Sequence, residues 1–317
     1  MAHSDVYPNY SFHPWQVWPG AYDNACDAEW FPKPECPRVR ITRDTPVAIM
    51  GSCFGRAVKE SLIADGYHVI TEERDHSAAR HASAAWERVY TTFSMRQIFL
   101  YSFGDWNPDR RWWIAPRTGV VQDPYRRIVV YPDMETATSD FSEHRQCSRR
   151  AIEAARVFIL VLEMTDIWED IADGAVISLP SGPYVAEGGD MSCYRFRVSR
   201  YHENIVNMEA ILSIMTRHNP DCHVILMISP VHLWTSFRSD TDIISAGCNA
   251  KSTLRAMADE CASRHEHIAY FPALEIATTY RTIFHQPVFA AGRENFHIAP
   301  DNFQNIMKQF HHFYTQP

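Results

Sequence analysis

From residue 47 onward, short apolar runs rich in β-branched residues alternate with longer amphipathic stretches, and no other feature of the sequence constrains the fold as much. Strands are predicted at 47–50, 67–70, 157–162, 223–228 and 268–271. Helices are predicted at 55–65, 94–101, 143–156, 201–217, 249–264 and 300–314, with Val58, Leu62 and Ile63 on the apolar face of the first. Strand followed by helix, repeated, implies a parallel sheet covered on both faces. Residues 71 to about 140 interrupt this rhythm with an insertion rich in Arg, Trp and Tyr, including Trp106, Trp112, Trp113 and Tyr125. Before residue 46 the chain interleaves Pro8, Pro14, Pro19, Pro32, Pro34 and Pro37 with aromatics. Proline removes backbone donors and restricts its predecessor, so residues 1–45 read as an extended arm. Such an arm either wraps its own domain or crosses to a second copy in a homodimer. Residues 46–317 then form one α/β domain carrying the 71–140 insertion.

Composition excludes several classes. With 46% hydrophobic and 13% aromatic residues, a chain of 317 residues has ample material for a core. Lys+Arg 30 against Asp+Glu 38 leaves a net charge of −8, which repels polyanions, so no nucleic-acid partner is expected. The eight cysteines contain no C-x-x-C pair, which argues for reduced thiols over a zinc ribbon or disulfide scaffold. No basic-then-apolar leader opens the chain, and the densest apolar run, 157–162, is too short to cross a bilayer. A cytoplasmic location without a membrane span is therefore expected. The G-x-G-x-x-G, P-loop, H-E-x-x-H and G-x-S-x-G signatures are all missing. The sixteen histidines show no fixed ligand spacing, and no metal or cofactor is expected.

The remaining chemistry stands in loops past the carboxyl ends of strands, where parallel sheets place their sites. Gly51-Ser52-Cys53-Phe54-Gly55 joins the first strand to its helix. Ser52 there is either a nucleophile whose own N–H helps hold an oxyanion or simply the helix cap. Cys53 is the competing nucleophile, because a helix N-terminus lowers a thiol pKa, but adjacent side chains diverge and one alone can face a cleft. The third strand exits into 163–168, and the fourth into Ser229-Pro230-Val231-His232, where Ser229 and His232 are candidate substrate-binding residues. His232 is also the second candidate base, or else a part-buried histidine closing the strand. Glu294-Asn295-Phe296-His297 precedes the last helix. Arg126, Arg195 and Arg197 either overhang the cleft to bind a carboxylate or form ordinary salt bridges. The tryptophans of the insertion either stack on sugar rings or pack it down.

Several ordered blocks together resemble the GSCFA-domain family, a branch similar to the SGNH or GDSL hydrolases. They are Gly51-Ser-Cys-Phe, Arg88-Val-Tyr-Thr-Thr, Asp123-Pro-Tyr-Arg, Val157 to Trp168, Ile228-Ser-Pro-Val, Ala250-Lys-Ser-Thr-Leu-Arg and Tyr270-Phe-Pro-Ala-Leu-Glu. The resemblance implies a flavodoxin-like three-layer α/β/α sandwich around a five-stranded parallel sheet. It implies Ser52 as nucleophile in preference to Cys53, His297 as general base, and Glu294 in the place of the acid, usually Asp, that steers the imidazole. Thr165 and Asp166 occupy positions that an SGNH enzyme fills with Asn and Asp, while Glu163 stands where the family usually has glycine. A threonine is a poorer oxyanion donor than an amide, so weak hydrolysis, an unusual acceptor or a different chemistry in the same cleft is expected. The function implied is a serine-dependent ester hydrolase or O-acyltransferase acting on an O-acyl group, with acetyl the expected one, of a carbohydrate or polyol. Its rival is a non-catalytic glycan- or ligand-binding protein on a degenerate scaffold.

Overall fold

The computed structural model describes residues 16, 18, 39–108 and 112–316, so the arm expected over 1–45, and with it the homodimer, falls almost wholly outside the described residues. Four parallel strands form the central sheet: β1 Val47–Met50, β2 Val157–Leu162, β3 His223–Ile228 and β4 Ile268–Phe271. They lie side by side in that order, with Val47 against Val157, Val157 against His223, and Val224 against Ile268. Apart from His223, every residue of these strands is buried. Continuous apolar runs are what a parallel strand needs when helices cover both of its faces.

Alternate strand residues feed two cores. Ala48, Met50, Phe158, Leu160 and Leu226 pack against α2 Thr92–Phe103, α3 Met134–Ala154, α4 Tyr201–His218 and α5 Ile243–Arg264. Val47, Ile49, Ile159, Val161 and Met227 pack against α1 Cys53–Ala64 and α6 Pro300–Tyr314. On α1 Val58 and Leu62 are buried, but Ile63 is 48% exposed, because one further residue turns the helix about 100° away from the core. Helices α3 and α5 begin earlier than the apolar pattern suggested. Asp133 accepts from the Thr136 N–H at 2.8 Å, and Asp242 accepts from the Ile244 and Ser245 N–H groups, so each aspartate caps a first turn that the apolar pattern left out.

The expected fifth strand at 67–70 is reduced to a single bridge between Val69 and Val47. Beyond it the edge of β1 is satisfied otherwise: the Ile49 N–H donates to Ser83 Oγ, and the Ile49 carbonyl accepts from the Ser83 N–H, both at 2.9 Å. The sheet therefore has four strands. Two small antiparallel sheets flank it, one of Trp113–Ile114, Val121–Gln122 and Val130–Tyr131, the other of Val176–Ile177, Asp166–Asp170 and Tyr194–Val198. The insertion is pinned by its aromatics. Trp113 stacks on Tyr184 and donates to the Tyr194 hydroxyl at 2.9 Å, Trp112 packs edge-on against Tyr131, and Trp106 against Tyr125. Among the described residues no helix is long and apolar enough to cross a membrane.

Candidate active site

The junction of β1 and α1 is built on close approach. A Cβ on Gly51 would lie 2.6 Å from the Cβ of Val161 and 2.9 Å from its carbonyl oxygen, so glycine lets the end of β1 run against β2. Ser52 follows in extended backbone, and its carbonyl accepts the Arg56 N–H at 3.1 Å to start α1. Its hydroxyl is fully buried, makes no cap bond and has no partner of hydrogen-bonding geometry. The first helical residue, Cys53, lines the cleft, with its Sγ 3.8 Å from Nε2 of His297. Of the diverging pair, Cys53 faces the imidazole, and Ser52 does not line the cleft.

His297 arrives on a short hairpin. Phe289 bridges Ile298, the Ala290 N–H donates to the His297 carbonyl at 2.9 Å, and the Ala299 N–H to Val288 at 3.0 Å. The ring of Phe296 lies 4.2 Å from the imidazole, and the Phe296 carbonyl accepts from the His232 N–H at 3.0 Å, tying the hairpin to the loop after β3. Glu294 falls in the 3₁₀ turn Gly292–Glu294; its side chain, the expected acid, lies outside the described residues.

The cleft holds about 250 Å³. Tyr90, Met164, Trp168, Leu179, Leu233 and Phe296 make apolar walls, and the exposed Trp234 and Phe237 stand among its lining residues. Arg88, Arg127, Glu163, Asp166 and His232 supply the charged and polar groups. Burial first, and the charge of Glu163 second, push the Cys53 thiol up to about 11; Arg88, the Phe54 N–H and Ser52 pull the other way. Behind it the buried Lys251 donates to the Glu163 carbonyl at 2.9 Å, and burial brings its ammonium down to about 8 against the opposing pull of Glu163 and Cys53. Burial raises the Asp166 carboxyl despite a hydrogen bond from Ser236. Burial, then Lys251, lowers His232 and favours its neutral ring.

Of the residues singled out from sequence, Cys53, Glu163, Asp166, His232 and His297 meet in the cleft. Thr165 is buried and does not line it; its carbonyl accepts the Ser199 N–H at 2.8 Å. Ser229 is buried too, shaping the turn by accepting from the Val231 N–H at 3.2 Å. Arg126 is sealed between Asp123 and Asp140, while Arg195 and Arg197 pair with Glu169 across a strand, so these three take the salt-bridge alternative. The guanidiniums that reach the cleft are Arg88 and Arg127. Arg127 follows an arginine already chosen, and Arg88 opens the Arg-Val-Tyr-Thr-Thr block, but nothing in their spacing marks them. Among the described residues no three His, Cys, Asp or Glu side chains are grouped to hold a metal ion.

A parallel sheet whose carboxyl edge brings a thiol and an imidazole into one cleft defines an open α/β protein with a thiol–imidazole pair. The chain belongs to the GSCFA family, whose model matches residues 46–310. No curated protein and no solved structure matches it.

Proposed function

We propose that the cleft performs acyl transfer, with Cys53 as nucleophile and His297 as its base. The observation that carries this reading is the 3.8 Å separation of Sγ and Nε2 inside a cleft that Ser52 does not line. With its pKa at about 11 the resting group is a thiol, so a base must take its proton as attack occurs. Sγ attacks the ester carbonyl while Nε2 accepts the proton. The first N–H groups of α1, which precede any intrahelical bond, face the developing oxyanion. His297 then returns the proton to the leaving alcohol, and an S-acyl thioester remains on Cys53. The donor class is an O-acyl ester, with the acetyl ester of a carbohydrate or polyol as the leading candidate, and the rings of Tyr90 and Trp168 offer flat faces to such a ligand. This replaces the hydroxyl of an SGNH-like mechanism with the neighbouring thiol.

Incubation with p-nitrophenyl acetate followed by peptide mapping tests the assignment. Acetyl should appear on Cys53, persist in Ser52→Ala and vanish in Cys53→Ala. Acetyl on Ser52, or none at all, would reject it. His297→Gln should lower the acylation rate by about 10²–10⁴-fold, and an unchanged rate would remove the imidazole from the mechanism. The raised thiol favours one second reading, a ligand-binding cleft without turnover; it predicts a bound glycan ester and no acyl-thiol.

A further inference from the structure

A carboxylate buried without a partner is costly, because nothing offsets its lost hydration. Glu163 is 6% exposed, lines the cleft, and its Oε2 has no hydrogen-bond partner. Its backbone is fully engaged: the N–H donates to Tyr90 at 3.1 Å and the carbonyl accepts from Lys251 at 2.9 Å. The lysine best placed to neutralise the side chain therefore bonds to the main chain instead. Among the other charged groups lining the cleft, Arg88 pairs with Glu87 at 2.9 Å and Asp166 accepts from Ser236, while Arg127 donates to the Tyr90 hydroxyl at 2.8 Å, leaves its buried Nε without a partner and makes no bond to Glu163. The geometry leaves the complement of Glu163 to be supplied by a ligand.

That complement must donate hydrogen bonds, and positive charge suits it. A hydroxyl brings one donor and no charge, whereas an ammonium brings both, and the aromatic faces of Tyr90, Trp168 and Phe296 attract a cation further. We propose that Glu163 recognises a primary amine as acyl acceptor, so that the acyl group on Cys53 passes to nitrogen in preference to water or a hydroxyl. This rests on the acyl-transfer reading above. The arriving ammonium gives one proton to the Glu163 carboxylate, and the free amine attacks the thioester carbonyl. The C–N bond forms, the C–S bond breaks, and the second nitrogen proton passes through His297 to the leaving sulfur. The products are an amide, the Cys53 thiol and a protonated Glu163, which releases its proton to water.

The test compares 2-phenylethylamine with 2-phenylethanol near neutral pH, a pair of similar size that differs in its head group. By titration calorimetry the amine should bind at least about tenfold more tightly to the wild-type protein, and Glu163→Gln, which keeps the shape and removes the charge, should erase most of that advantage. Equal binding of the two probes to wild type, or an advantage that survives in Glu163→Gln, would overturn the proposal. On acetyl-loaded protein the amine should yield its acetamide above the rate of the uncatalysed reaction; acetate or the phenylethyl ester formed in its place would also overturn it. Absence of any acetyl-Cys53 would reject the acyl-transfer reading, while the binding comparison would still decide the role of Glu163.

Discussion

The thiol of Cys53 and the carboxylate of Glu163 oppose one another, since the negative charge disfavours the thiolate. Removing the charge at constant shape lowers the thiol pKa, and near pH 8, well below the value of about 11, the thiolate fraction rises tenfold per unit of lowering. Glu163→Gln should therefore react with iodoacetamide about three- to tenfold faster at that pH. An unchanged or slower rate would take Glu163 out of the field of the thiol. The same residues show what a sequence reveals. The place of His297 at the cleft was legible because its block immediately precedes a helix at the end of a βα pattern. Which of Ser52 and Cys53 lines the cleft was not, because it depends on which residue opens α1, and a step of one residue turns a side chain by about 100°. The orphan carboxylate was visible only as a departure from glycine at position 163; its lack of a partner is a property of the folded environment.

At the scale of elements, strands buried on both faces were read correctly at both ends, because their apolar runs have no polar residue to blur them. The Asp166–Asp170 and Tyr194–Val198 strands escaped notice, since Glu169, Arg195 and Arg197 look like loop residues until they pair across the ladder. The opposite error occurred at 67–70, where strand-like residues pair with β1 through the single Val69–Val47 bridge, because Ser83 occupies the next stretch of that edge. Joining β1 to α1 requires the close contact between Gly51 and Val161. Gly51→Ala pushes a methyl into backbone and should cost about 1–3 kcal/mol of stability, measured by urea unfolding, and should shift the thiol away from His297. Full stability together with unchanged acylation would show that the junction has slack.

For the whole molecule, the buried Lys251 makes stability depend on pH. Its folded pKa is about 8 against an ordinary 10.5, so between these values the unfolded chain holds a proton that the folded chain lacks. Stability from this group therefore rises with pH across that window and is flat below it, where both states are protonated. Relative to Lys251→Met, the wild type should gain about 1–3 kcal/mol in urea unfolding between about pH 7.5 and about pH 10. Cys53, raised from 9.0, contributes with the opposite sign from 9.0 to about 11, and the comparison with the variant largely cancels it. A constant difference would mean that the ammonium keeps its water. The separation of 244 positions between thiol and imidazole carries a last consequence. During synthesis the sulfur emerges well before the imidazole, so a ribosome-bound polypeptide stopping before residue 297 carries an unassisted thiol. Under the proposed acyl transfer, acylating power is thus acquired only when the hairpin carrying His297 docks.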